Sequence, residues 1–149
     1  MKNFQDLLKE LNACSDACEW AGDRNIKQVV ADCHRGDWLL WLAGRVDVDN
    51  RKLVLAAGKC AETVIHLMTD DRSRAAVRAA IDYGEGRISK DELAAAARAA
   101  ATAYAAATAY AAAYAYAAAY AENQKQTADI VRQILGSEII EKVNAMLHD

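Results

Sequence analysis

Hydrophobic positions recur at helical spacing from the first turns of this chain onward. Phe4, Leu7, Leu8 and Leu11 fall at i, i+3, i+4 and i+7, one face of an amphipathic helix. Ile26, Val29, Val30 and Cys33 repeat the spacing behind Asn25, a residue suited to an N-cap. Between these two helices, Ser15 or Asp16 is expected to cap a short turn carrying Trp20, closed by Gly22 and Asp23. "HRGDW" punctuates the chain: Gly36 suits the left-handed residue past a helix end, and Asp37 suits the next N-cap. "WLLWLAGRV" is apolar almost all round, the pattern of a short buried helix, and this assigns Trp38 and Trp41 to the core. A longer helix is predicted from Asn50 to Met68, with Gly58 and Ala61 on a side that a neighbour can approach closely. Thr69 or Asp70 caps a further helix through Tyr83, ended by "GEG".

"SKDE" at 89 to 92 has the spacing of a capping box, in which Ser89 caps and Glu92 returns the bond. No Gly or Pro follows until Gly136, where Gly136 and Ser137 are expected to break the pattern. Ile139, Ile140, Val143 and Leu147 then share one face of a last helix. No segment carries the alternation or Asn-Gly turns of strands. The chain therefore reads as one all-α domain, a bundle of about seven helices. Short helices with a Trp-rich core occupy 1–89, a long Ala-rich helix 90–122, and C-terminal helices 123–149.

Residues 94 to 121 hold twenty alanines, five tyrosines, two threonines and one arginine. A membrane span is disfavoured, since the stretch has no Leu, Ile, Val or Phe and no flanking basic cluster. Disorder is disfavoured because alanine is the strongest helix former. An ice-binding face needs aligned threonines, and Thr102 and Thr108 lie roughly 120° apart around a helix. Tyr104 with Thr108, Tyr110 with Tyr114, and Arg98 with Thr102, Tyr116 and Tyr120 form three stripes separated by alanine. A helix without a single solvent face is expected to be a central helix contacted on several sides. Over residues 90 to 122 it would measure about 50 Å, against a diameter of roughly 38 Å for a compact chain of this length. That mismatch makes a homodimer sharing Ala/Tyr surface an expectation.

Composition narrows the function. A formal net charge of -3 argues against nucleic-acid binding driven by phosphate neutralisation. The N-terminus "MKNFQDLLKELNA" lacks the pattern of a signal peptide, so the four cysteines read as reduced thiols of a cytoplasmic protein. Cys14 and Cys18 have no second ligand pair at zinc-site spacing, and Cys60 and His66, six apart, do not face each other on one helix. No Gly-rich phosphate loop, HExxH or GxSxG pattern occurs. No catalytic residue, metal site or cofactor is therefore assigned.

"ACEWAGD", "CHRGDWLLWLAGRV", "RKLVLAAGKCAETV", "YGEGRISKDELAAAARAA" and the Ala/Tyr tract occur in an order that resembles the alanine-rich immunity proteins of bacterial polymorphic toxin systems. The resemblance spans about residue 13 to about 121 and implies a protein that binds and neutralises a cognate toxin without catalysis. The alternative from another class is a helical module, phage or mobile-element encoded, that holds a small molecule in a Trp/Tyr-lined pocket. In either case the expected binding residues are Trp20, Asp23, Arg24, Arg45, Arg51, Tyr116 and Tyr120, large or charged side chains at helix junctions and on the outer helix face.

Overall fold

The computed structural model describes residues 2–99 and 119–148, with side chains from 122 onward in the second segment. Among the described residues every regular element is helical, as the hydrophobic spacing predicts. In order these are α1 (Phe4–Glu10), α2 (Ser15–Ala21), α3 (Ile26–Asp32), α4 (Gly36–Ala43) and α5 (Asn50–Glu62). A 3₁₀ turn (Ile65–Leu67), α6 (Asp71–Gly84), helical residues 90–99 (α7) and α8 (Ala119–Leu147) complete the set. None of the described helices is long and apolar enough to cross a membrane.

Local chemistry explains most of the helix starts. Asn25 accepts from the Gln28 amide while Gln28 returns a bond to the Asn25 amide, both at 2.9 Å. Asp49 and Asp70 cap α5 and α6, and Ser89 with Glu92 forms the expected capping box. Two expected caps are different. Neither Ser15 nor Asp16 caps α2, whose N-cap is Cys14 without a side-chain bond. Arg35, not Asp37, is the N-cap of α4, so Asp37 lies in the first turn.

The core lies where α8 meets the first half of the chain. Ala128, Val131, Leu135, Ile139 and Val143 form one stripe on α8, all but sealed from solvent, and α1, α3, α4 and α5 pack around this helix. Three contacts set α5 antiparallel to α8. Glu138 accepts from the Asp49 amide at 3.0 Å, the Cys60 thiol points at the Thr127 carbonyl, and Asn123 donates to Thr63 Oγ1 at 2.8 Å. Arg132 of α8 donates to the carbonyls of Val30 and Cys33, satisfying groups that the end of α3 leaves unpaired.

The expected break at Gly136 and Ser137 is absent: α8 runs through both. Gly136 is a contact point, since a Cβ there would stand 3.2 Å from Val30 Cγ1. Gly36 likewise is no left-handed terminator; it is buried within α4, against Thr127 of α8. Gly58 does provide the predicted close approach, to Ala80 and Ile81 of α6. The Ala/Tyr stretch expected as the central helix lies outside the described residues over 100–118, as does the homodimer expectation built on it. Within the described residues α8 takes the central place, with α1, α3, α4 and α5 all packed on it.

Candidate functional site: a tryptophan-lined pocket

Helices α1, α2 and α4 enclose a partly open cavity of about 340 Å³, within the size range of small-ligand sites. Asn12, in the left-handed conformation at φ 62°, turns the chain from α1 toward α2. Phe4 and Leu8 of α1 and Leu39 and Leu42 of α4 form an apolar floor continuous with the core. Ala17 and Ala21 leave room along the α2 wall. Trp20, Trp38 and Trp41 complete the lining, each half-buried.

The positions of these rings follow from helix geometry. Gly36, Leu39, Leu42 and Ala43 are the buried residues of α4, so Trp38 and Trp41, three apart, share the neighbouring flank. Trp20 comes from the last turn of α2 and meets Trp38 with ring centroids 6.1 Å apart. His34 stands edge-on to Trp20 at 6.0 Å.

Each tryptophan carries an arginine from the loop next to its helix. Arg24 lies 4.4 Å over Trp20, Arg35 4.2 Å over Trp38 and Arg45 5.2 Å over Trp41. Such stacking is worth about 0.5–1 kcal/mol at exposed sites and fixes the rings in place. Arg24 is held further by the Trp20 carbonyl and by Asp32 at 3.7 Å. None of the three guanidinium groups borders the cavity.

Asp37 is the charged residue of the lining. Arg35 holds its carboxylate with Nε to Oδ1 at 3.0 Å and Nη2 to Oδ2 at 2.6 Å. Partial burial works to raise the Asp37 pKa, but Arg35's hydrogen bonds and charge, with the amides of Trp38 and Asp37, outweigh it and hold the carboxyl below its usual range. Cys33 also lines the cavity, where burial raises its thiol pKa and the thiol points at the Arg35 carbonyl. No group of three metal-ligating side chains exists among the described residues.

Burial also pushes the Cys60 thiol up to about 11. Its proton is held more tightly in the folded chain than in the unfolded one, so its contribution to stability is complete below about pH 9 and lost as pH rises toward 11. At pH 8 iodoacetamide is expected to alkylate exposed Cys14 first, half-buried Cys60 with its raised pKa more slowly, and buried Cys33 only on unfolding. Peptide mass spectrometry reads this directly; equal labelling of Cys14 and Cys33 in folded protein would contradict the burial.

The structure gathers only part of the expected binding set. Trp20 lines the pocket, and Arg24 and Arg45 adjoin it only through Trp20 and Trp41. Asp23 is exposed in the turn after α2. Arg51 is elsewhere: it stacks 4.3 Å over Tyr83 and donates to the Tyr83 carbonyl, tying α5 to the end of α6. Tyr116 and the side chain of Tyr120 lie outside the described residues. Trp38 and Trp41, expected in the core, pack against it half-buried and also line the cavity, as Trp20 does, and Asp37 joins them. Three tryptophans between residues 20 and 41 were the available signal. No protein-family model, curated protein or solved structure matches the chain.

Proposed function

We propose that this chain is a non-catalytic binding protein of the immunity type, which neutralises a cognate toxin by seating an apolar anchor of that toxin in the tryptophan-lined pocket. One observation carries the reading: three half-buried tryptophans, each braced by an arginine, converge on an open cavity. Trp and Arg are the residue types that dominate binding energy at protein interfaces, and a ring held in place beforehand loses little entropy on binding. The resemblance of the motif order to alanine-rich immunity proteins supports a toxin as the target. Four free cysteines suit a reducing cytoplasm as the place of action. A second reading, a small-molecule module, is favoured by the cavity volume alone.

Native mass spectrometry of the protein purified from its own host separates the two. A bound polypeptide supports the immunity reading, and a retained small molecule transfers the function to the second. Trp20→Ala is expected to weaken the polypeptide complex by about 2 kcal/mol or more while leaving the circular dichroism melt cooperative. Loss of cooperative melting would instead make Trp20 a core residue.

A further inference from the structure

We infer that the group received by this pocket is an apolar ammonium: a protonated amine on an aromatic or hydrocarbon body of about a dozen non-hydrogen atoms. The inference rests on the cavity being a binding site, and it adds the chemistry of the occupant. Size sets the first limit, since 340 Å³ is room for about eleven water molecules. The floor and walls are hydrocarbon and indole, which complement an apolar body.

Charge sets the second limit. Among the described residues the lining carries one charged side chain, Asp37, and no Lys or Arg. An ionised carboxylate only accepts hydrogen bonds and has about four lone-pair positions. Arg35 takes one on each oxygen and the amides of Trp38 and Asp37 bear on the same group, so an incoming ammonium shares the carboxylate with these donors. The Asp37 side chain is 51% exposed, so a ligand can reach it. Indole rings also attract cations through their quadrupole. Arg24 and Arg35 already exploit that property on Trp20 and Trp38. An anion in the cavity would meet a carboxylate, and among the described residues the lining holds no Lys or Arg to pair with it. A neutral apolar body gains the hydrocarbon contacts and forgoes the charge-assisted bond to Asp37.

Three probes of one size test the inference by calorimetry at pH 7 on the full chain: 2-phenylethylammonium, 2-phenylethanol and 3-phenylpropanoate. The ammonium is expected to bind at least tenfold more tightly than the alcohol, and the carboxylate most weakly. Asp37→Asn should bring the ammonium to the level of the alcohol without altering alcohol affinity or the circular dichroism spectrum. The comparison of probes on the parent chain decides the matter even where the variant fails to fold. Equal binding of all three, or preference for the carboxylate, overturns the ammonium inference and leaves the pocket as a binding site. Absence of binding by every probe up to the order of 10 mM overturns the pocket reading as well.

Discussion

Gly36→Ala is expected to cost about 3 kcal/mol or more, at or above the top of the usual range for overpacking. A Cβ at Gly36 would stand 2.2 Å from Thr127 Oγ1, 2.5 Å from Thr127 Cβ and 2.6 Å from the Thr127 carbonyl carbon. Rotating the Thr127 side chain relieves the first contact and leaves the third, which belongs to the backbone of α8. Moving α8 away is equally costly, since the same helix carries the most deeply buried stripe of the core. For a chain of this length the loss corresponds to a fall in melting temperature on the order of 10 °C.

Gly44→Ala is the matching control. Gly44 has ordinary right-handed dihedrals at the end of α4, and a Cβ there meets nothing closer than 3.5 Å. Alanine restricts the unfolded chain at such a position, so this variant should melt at the parent temperature or slightly above it. Thermal melts of the two proteins side by side check the prediction. A Gly36→Ala protein within about 1 kcal/mol of the parent would refute the close approach of α4 to α8.

The two glycines at 36 and 136 mark where sequence reading and structure part, and the cause is the same in both. A glycine reads as a helix terminator when only its own segment is considered. What makes it a contact point is a neighbour far away in the chain: Thr127 for Gly36 and Val30 for Gly136. By contrast Asn25, Asp70 and the Ser89–Glu92 box were legible because the partner of each cap lies within three residues. The pocket was legible in part. Trp20, Trp38 and Trp41 stand close in sequence, but α4 is apolar almost all round, and periodicity cannot choose which flank of such a helix meets the core. That choice is made by α8, roughly ninety residues downstream. Asp37 was hidden for a related reason. Its type and place suited an N-cap, and only the folded chain puts Arg35 in that role and Asp37 in the lining of the cavity.

Ser137→Pro separates the two accounts of the C-terminal segment most sharply. Were there a break at Gly136, residue 137 would stand at the start of a new helix, where proline is tolerated because its missing N–H would be unpaired in any case. In the continuous α8 the Ser137 amide is directed to the carbonyl of Gln133, four residues back. Proline removes that bond, and its ring collides with the same carbonyl, a loss of about 3 kcal/mol or more. Leu135 and Ile139 flank the site at i−2 and i+2 and are both fully buried. A kink at 137 would therefore also pull one half of the stripe away from its partners on α1, α3 and α4. Ser137 is exposed, so the substitution removes no buried contact of its own. Ser137→Ala isolates the backbone effect, and should leave stability within a few tenths of a kcal/mol of the parent, or above it. Urea unfolding of the three proteins makes the measurement. A large drop in midpoint for the proline variant alone supports one helix from Ala119 to Leu147, and a proline variant as stable as the alanine one restores the break.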